Sequence, residues 1–252
     1  MLPRPSGLVT LLTDFGHADP YVAVMKGAMM RAATKVQIVD ISHAVPPQDI
    51  EVGAFHCMAL IGRFPTGTVH VAVVDPGVGT DRRLLAVAAH DCYWLAPDNG
   101  LLAAVLAGDA ATDVRAIDAD HLGLQPESRT FHGRDLLAPV AAWLATGRYG
   151  FSALGPRVPN PQLGTDPCSG APRVVHIDHY GNLITNLGPV EGQALRIAGR
   201  TIPLHATYGD VAQGELLAYV GSFGLLEVAR NGGSAAQALE VGRGAPVELL
   251  PA

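Results

Sequence analysis

An acidic and a basic residue stand close together in a stretch that is otherwise apolar or rich in glycine. Asp75 and Arg82 enclose the segment PGVGTD. Its two glycines permit a tight turn that folds Arg82 back toward Asp75, which would place a carboxylate and a guanidinium in one pocket. Such a pair can hold a nucleophile or stabilise a developing charge. A turn with an ordinary surface salt bridge explains the same spacing equally well.

A histidine follows in the stretch TFHGRD, residues 130–135, just before an apolar helical pattern. Because a histidine accepts or donates a proton near neutral pH, His132 is a candidate for acid–base chemistry. A histidine taken singly is more often structural, and Asp135 fits the N-cap of the following helix.

A third polar stretch, DHYGNLITN at residues 178–186, contains Asp178, Tyr180 and Asn182. Asp and Asn often hydrogen-bond to their own backbone, so this stretch also fits a hairpin turn. Taken one at a time, the three stretches do not decide a function.

The elements that must position these residues alternate between apolar strands and helices in the first part of the chain. Strand patterns are expected at residues 7–13, 36–41, 67–74, 84–89 and 93–96, and helical patterns at 21–33, 49–61, 101–107 and 136–146. This alternation predicts an α/β fold whose mainly parallel sheet is covered on both faces, as three layers. Asp14 and Asp75 follow strands, and the carboxyl ends of parallel strands are where such folds bind ligands.

A segment rich in proline and glycine divides the chain. Residues 155–172 contain five prolines and three glycines, so we predict an N-terminal domain at 1–155, a linker at 156–172 and a C-terminal domain at 173–252. Short strand patterns separated by glycine turns follow, at residues 173–177, 183–187, 195–197, 216–220, 225–229 and 246–250. They predict a small antiparallel β-barrel or sandwich.

Composition limits the partners. The chain has 17 Lys and Arg against 23 Asp and Glu, a formal charge of -6, and no basic run, which argues against nucleic-acid binding. No apolar stretch approaches the ~18 residues of a membrane span, and the N-terminal MLPRPSG is too short and proline-rich for a signal peptide. We therefore expect a cytoplasmic protein. Three cysteines without CxxC spacing indicate neither a disulfide framework nor a zinc site.

Seven stretches together resemble the S-adenosyl-L-methionine hydroxide adenosyltransferase family, relatives of the bacterial fluorinases and chlorinases. They are LLTDFGHADPYV, VDISHAVPPQD, VVDPGVGTDRR, APDNGLL, RTFHGRDLLAP, IDHYGNLITNL and GSFGLLEVARNGG. These stretches span nearly the whole chain in the order that the family shows, so the match is specific.

The resemblance implies a three-layer α/β domain followed by a β-barrel domain. It also implies a homotrimer, with each active site between the first domain of one subunit and the second domain of its neighbour. The implied reaction is hydrolysis of S-adenosyl-L-methionine by water at C5′, which gives adenosine and L-methionine without a metal or a redox cofactor.

The resemblance also assigns roles to residues. Asp75, Arg82 and His132 would position and activate the water, while Asp14 would hold the ribose hydroxyls. The remaining substrate-binding candidates lie in the other matching stretches. Asp178, Tyr180 and Asn182 are expected at the methionine end or on the adenine. The others are Ser222, Arg230, Asn231, Asp19 and Asn99. Tyr180 stands where the family more commonly has phenylalanine. A tyrosine keeps the aromatic ring for stacking, but its hydroxyl has no assigned role.

The chemistry of the substrate fits these roles. A sulfonium is already a good leaving group, so positioning a nucleophile in line with C5′ is the main task. Arg82 could hold the water, Asp75 could orient the pair, and His132 could accept or relay the proton, with general-base help adding roughly 10²–10⁴ in rate.

Other functions fit the sequence less well. A halogenase is disfavoured because a carboxylate ~4 Å from a halide repels it by about 4 kcal/mol at an effective dielectric of ~20, and halogenases lack an acid at the position of Asp75. A non-catalytic sensor of S-adenosylmethionine would not need the Asp75, Arg82 and His132 set. A metal phosphoesterase lacks HExxH or HxH spacing, and the kinase motifs that should accompany Asp14-Phe15-Gly16 are missing.

Overall fold

The chain folds into two compact units, residues 1–166 and 167–252. A computed structural model describes residues 2–107, 109, 112–189 and 194–251. Each unit has its own hydrophobic core, and each is described by itself below.

A six-stranded sheet forms the centre of the first unit. Its strands are β1 (Leu8–Thr13), β2 (Gln37–Ser42), β3 (Val69–Val73), β4 (Leu84–Ala89), β5 (Cys92–Pro97) and β6 (Asp113–Ala116). The spatial order is β2-β1-β3-β5-β4-β6. The pairs β1·β2, β1·β3 and β3·β5 are parallel, whereas β4 runs antiparallel to β5 and β6. The predicted mainly parallel sheet is therefore confirmed, with an antiparallel edge.

Helices cover both faces of this sheet. They are α1 (Tyr21–Ala32), α2 (Ile50–Leu60), α3 (Ala103–Ala107) and α4 (Ala138–Ala145). Alternate strand residues point to opposite faces, so Val71 packs with α1 and α4 while Ala72 packs with α2 and α3. The result is the three-layer arrangement that the alternating pattern predicts.

The second unit contains two antiparallel sheets. Its elements are β7 (Val174–Ile177), β8 (Leu183–Thr185), β9 (Ala194–Ile197), β10 (Arg200–Pro203), β11 (Leu216–Val220), β12 (Leu226–Arg230), α5 (Ala235–Leu239) and β13 (Glu248–Leu250). The strand orders are β10-β9-β13 and β11-β12-β8-β7. Isolated bridges join Leu204 to Ala218 and Arg173 to Pro246. The predicted antiparallel β domain is present, but its strands form two sheets around one core and not one continuous closed barrel.

Residues 156–166 of the predicted linker belong to the first unit and are hydrogen-bonded within it. The Asp98 Oδ1 atom accepts a hydrogen bond of 2.7 Å from the Gln162 backbone, and Arg83 donates to the carbonyl of Asn160 at 2.9 Å. None of the helices in the described ranges has the length and apolar character that crossing a membrane requires.

Candidate active site

Two acidic residues lie at the same edge of the first unit's sheet. Asp14 follows β1 directly, and Asp75 lies two residues after the end of β3. Thr13 and Val73, the last residues of these neighbouring parallel strands, are paired in register. Both carboxylates therefore lie at the edge where the parallel strands end, as the strand pattern predicts.

Arg82 folds back onto Asp75. Its Nε atom donates hydrogen bonds of 2.7 Å and 2.8 Å to the two oxygens of Asp75, and Nη2 donates to Oδ2 as well. The exposed fractions of the two side chains are only 8% and 6%, so the alternative of a surface salt bridge is wrong. Removal of one member would leave the other charge buried and uncompensated, which is strongly destabilising.

A glycine lets this loop approach the next candidate residue. Gly79 has a φ of 84°, and a Cβ atom there would lie 2.9 Å from the carbonyl oxygen of Arg129. The loop between Asp75 and Arg82 therefore packs against the segment that carries His132, and a larger residue at position 79 would separate them.

His132 is the third member of the cluster. Its Nδ1 atom lies 3.2 Å from both terminal nitrogens of Arg82. Because a guanidinium only donates, Nδ1 must accept, and the proton of the neutral ring is then on Nε2. Burial lowers the pKa of His132 and the charge of Arg82 lowers it further, although Asp75 and Asp135 act in the opposite direction. The ring is therefore neutral near pH 7.

An aromatic cluster and a π-helical turn hold His132 in place. The turn spans Gly133–Leu137 and leads into α4. The Phe131 ring lies 5.7 Å from that of Phe15 and 5.6 Å from that of Tyr21. These aromatic contacts link segments far apart in the sequence, so the spacing of the residues does not predict them.

Asp135 does not cap the helix, so that alternative is wrong. Leu137 occupies the N-cap of α4 and makes no side-chain cap. The Asp135 carboxylate instead accepts hydrogen bonds from the Ser128 backbone at 2.9 Å and from Arg134 at 2.6 Å. It thereby closes the loop in front of His132.

Asn99 ties a neighbouring strand to the segment before Asp75. Its amide nitrogen donates to the carbonyl of Val74 at 2.9 Å, and its amide oxygen accepts from the Leu101 backbone at 3.2 Å. Both ends of the amide are thus engaged within the first unit, which indicates a positioning role for this predicted substrate-binding residue.

Asp14 is held by a backbone group. Its Oδ2 atom accepts a hydrogen bond of 2.8 Å from the N–H of Gln48, whose φ is 66°. Beneath it, Thr13 Oγ1 contacts the buried His43 ring at 2.8 Å. Gln48 and His43 lie in a matching stretch, yet their contacts depend on the fold and were not predicted. Asp19, another candidate, is exposed.

Asp178 closes a turn in the second unit. It accepts hydrogen bonds from the backbones of Tyr180 and Asn182 at 2.9 Å and 2.8 Å, and from the Asn182 amide at 2.8 Å. The hairpin-turn alternative is thus confirmed for Asp178 and Asn182. The Tyr180 side chain is 75% exposed and leaves its ring free to stack.

The other candidates of the second unit lie beside β12. Ser222 is exposed in the connection between β11 and β12. Arg230 donates to the carbonyl of Gly214 at 2.9 Å, and the Asn231 amide donates to the carbonyls of Tyr208 and Val211 at 3.2 Å and 3.0 Å. The side chains of Arg230 and Asn231 therefore already bind backbone groups of their own unit.

Across the described ranges, no group of three or more His, Cys, Asp or Glu side chains is arranged to hold a metal ion. The polar cluster of the first unit is instead a linear chain, in which the guanidinium of Arg82 joins Asp75 to His132.

The fold and the position of this cluster, at the carboxyl ends of parallel strands, are typical of α/β proteins that bind small molecules there. Two family models match consecutive parts of the chain: the SAM hydroxide adenosyltransferase N-terminal domain at residues 9–155 and the C-terminal domain of the same family at residues 172–248. The chain belongs to the SAM hydroxide adenosyltransferase family, which confirms the resemblance seen in the sequence.

Relatives of known name and structure support this assignment. An (R)-S-adenosyl-L-methionine hydrolase of Thermus thermophilus is 41% identical and covers 96% of this chain and 99% of its own. A fluorinase of Nocardia brasiliensis is 29% identical and covers 96% of each chain. The crystal structure of an uncharacterized conserved protein from Thermotoga maritima superposes with a TM-score of 0.89, at 32% identity over 96% of this chain and 99% of that one.

Proposed function

We propose that this protein hydrolyses S-adenosyl-L-methionine to adenosine and L-methionine. Water attacks C5′, the C5′–S bond breaks with its electron pair on sulfur, and the water releases one proton. The observation that carries the proposal is the buried Asp75 carboxylate, held by Arg82 beside a neutral His132, in a chain whose 41% identical relative is named a hydrolase. A halide would be repelled by this carboxylate, whereas neutral water is not.

The hydrogen bonds of the cluster support a division of roles. Arg82 has no acceptor, and the Nδ1 lone pair of His132 already faces the guanidinium. We therefore propose that Asp75 accepts the proton and that His132 donates a hydrogen bond through its Nε2–H. This assignment replaces the sequence-based expectation that His132 accepts or relays the proton.

Substrate binding draws on both units in this proposal. Asp14 binds the ribose diol, because its Oδ1 has no hydrogen-bond partner in the part of the chain that the structure describes. The exposed ring of Tyr180 stacks on adenine, and Asp178, Asn182 and Ser222 hold the methionine end.

The assembly is part of the same proposal. The second-unit residues come from a neighbouring subunit in a homotrimer, and the domain boundaries at 155 and 173 separate the two contributions. The family models end at residue 155 and resume at residue 172, which supports these boundaries. The three cysteines form no disulfide in the part of the chain that the structure describes, which suits a reducing compartment and supports a cytoplasmic location.

The reaction can be tested by product analysis in ¹⁸O-labelled water. Chromatography with mass spectrometry should show adenosine that carries ¹⁸O on its 5′ carbon and an equal amount of unlabelled methionine. Formation of 5′-methylthioadenosine would mean that a different C–S bond breaks, and absence of both products would reject the proposed function.

Replacement of Asp14 by alanine should raise KM for S-adenosylmethionine about 10-fold or more while kcat changes less. The ribose diol is held equally in the ground and transition states, so its loss weakens binding uniformly. Steady-state kinetics would measure both constants, with the exposed Asp120→Ala as the matched control. A large fall in kcat at unchanged KM would contradict the assignment.

Activity should fall on acidification as His132 becomes protonated, because a charged ring cannot accept from Arg82. The burial that lowers the pKa of His132 places this loss below pH ~6.5. His132→Gln, whose amide can both accept and donate, should lower kcat about 10-fold and remove this acidic limb. An identical pH–kcat profile for the variant would assign the limb to another group.

A further inference from the structure

A buried histidine beneath Asp14 has no role in the reaction described so far. The His43 ring is only 1% exposed. Its Nδ1 atom lies 2.8 Å from Thr13 Oγ1, and the backbone carbonyl of His43 accepts a hydrogen bond of 2.7 Å from the N–H of Gly16. One residue therefore holds the chain on both sides of Asp14.

The protonation of the His43 ring follows from its surroundings. Burial lowers the pKa of His43, and although Asp40 acts in the opposite direction, the net shift favours a neutral ring. Nε2 lies 3.1 Å from Asp40 Oδ1, off the line of a straight hydrogen bond. A carboxylate oxygen at this distance still favours the proton on Nε2, because it can only accept. Nδ1 is then the acceptor, and the Thr13 hydroxyl donates to it.

The end of β2 is shaped to bring this histidine under Asp14. Leu11 of β1 pairs with Asp40, whereas Leu12 pairs with Ser42, so the register shifts by one residue just before His43. Such irregularities re-aim the side chains at the end of a strand. Lys26 of α1 fixes the Asp40 carboxylate from the other side, at 2.5 Å from Oδ2.

Asp40, His43 and Thr13 have the order of a nucleophilic Asp–His–Ser triad. Thr13 has no exposed surface, however, so a substrate cannot reach its hydroxyl. Thr13 Oγ1 instead accepts a hydrogen bond of 3.2 Å from the N–H of Phe15, which spans Asp14. The set can therefore act only through the residue between them, whose carboxylate is also held by the Gln48 N–H.

We propose that His43 is a positioning residue, which fixes the Asp14 carboxylate for the ribose diol through the hydroxyl of Thr13. This inference rests on the proposed function, since it takes Asp14 as the ribose contact. A carboxylate that binds two neighbouring hydroxyls must keep one orientation, and a loop that is already rigid loses less freedom when the nucleoside binds. The effect is therefore on binding and not on the chemical step.

Thr13→Val tests this link, because valine keeps the shape of threonine but removes the hydroxyl. KM for S-adenosylmethionine and the inhibition constant of adenosine should both rise about 5-fold, with kcat within about twofold, since both ligands carry the same ribose. Thr13→Ser keeps a hydroxyl, so all three constants should stay within about twofold of those of the unaltered protein.

A matched control lies three residues earlier on the same strand. Thr10 is buried, and its Oγ1 lies 2.7 Å from Nδ1 of His70, which is the same pairing of side chains further from Asp14. Thr10→Val should cost stability but leave KM and the inhibition constant within about twofold. Equal increases in Thr10→Val and Thr13→Val would indicate a general loss of packing and would overturn the proposal.

Two substitutions of the histidine test the same link from the other side, and they decide the question if Thr13→Val does not fold. The amide oxygen of His43→Asn lies near the position of Nδ1 and can accept from Thr13, whereas the longer side chain of His43→Gln carries its amide toward Asp40. KM should stay within about threefold in His43→Asn and rise about 5-fold in His43→Gln. Thr13→Val should add little to His43→Gln, because both remove one contact. The reverse order of the two variants would contradict the proposal.

The two levels of inference fail separately. If the unaltered protein binds adenosine but releases none from S-adenosylmethionine, the proposed function is wrong, and calorimetric titration of the same variants with adenosine still decides the role of His43. If the unaltered protein forms adenosine while Thr13→Val and His43→Gln bind adenosine as tightly as it does, the function stands and the positioning role is wrong. An unaltered protein that does not bind adenosine would reject both.

Discussion

Replacing Asp75 with alanine should lower kcat for adenosine formation by about 100-fold, while S-adenosylmethionine still binds. The carboxylate is the anion of the cluster that it forms with Arg82 and His132, and the loss of a positioned polar group beside the nucleophile typically costs this much. KM should stay within a few fold, since the ribose and methionine contacts remain. Steady-state kinetics with chromatographic detection of adenosine would measure both constants.

The control for this variant lies in the same loop. Asp81 is exposed, so Asp81→Ala should leave kcat nearly unchanged.

Asp75→Ala also leaves the guanidinium of Arg82 without its anion, so chloride should inhibit the variant more than the unaltered protein. The unaltered protein should form no 5′-chloro- or 5′-fluoro-adenosine at high halide. Undiminished adenosine formation by Asp75→Ala would show that water is activated elsewhere.

Acidification should destabilise the first unit through His70. This ring is 2% exposed, stacks on Trp94 at 4.1 Å between centroids and contacts Thr10 Oγ1 at 2.7 Å. Its Nε2 atom is buried with no hydrogen-bond partner among the described residues. Burial lowers the pKa of His70 to about 3, against the ordinary value of 6.5.

The sign of the effect follows from these two pKa values. Above pH ~6.5 the His70 ring is neutral in both the folded and the unfolded state. Below this pH the ring is protonated in the unfolded chain, whereas in the folded protein it stays neutral down to about pH 3. The free energy of unfolding should therefore fall by about 1.4 kcal/mol per pH unit in this window, or about 2–3 kcal/mol at pH ~4.5.

Urea unfolding followed by circular dichroism would measure this loss. His70→Gln cannot titrate, so its deficit in stability relative to the unaltered protein should shrink by about 2–3 kcal/mol between pH ~7.5 and ~4.5. The exposed His121→Gln is the control and should keep the original pH dependence. Parallel stability curves for His70→Gln and the unaltered protein would contradict the buried neutral ring.

The sequence predicts most elements of both units because their buried strands are apolar and their helices are periodic. β6 and β10 were missed, since DVRA and RTIP are four residues long and mix charged with apolar residues. The π-helical turn at Gly133–Leu137 has no sequence pattern of its own. It is fixed by packing against residues distant in the chain.

Some contacts of the candidate site can likewise be predicted from the local sequence, whereas others depend on the fold. The fold-back of Arg82 onto Asp75 is local and could be predicted from two glycines. The contact of His132 with Arg82 joins residues 50 positions apart, and the position of Asn99 beside Val74 joins neighbouring strands. Such contacts depend on the order of the strands in the sheet, which cannot be read from the spacing of residues along the chain.

The backbone contact that holds Asp14 has a consequence for how this protein can vary. Gln48 adopts a left-handed conformation with φ of 66°, which a glutamine adopts at a cost of about 1 kcal/mol relative to glycine. Only its N–H reaches Asp14, so the identity of its side chain is irrelevant to that contact. Glycine or asparagine at position 48 would preserve the hydrogen bond and relax the backbone. The proposed ribose site therefore tolerates substitutions at position 48 that keep the left-handed backbone, because this contact comes from the main chain and not from a side chain.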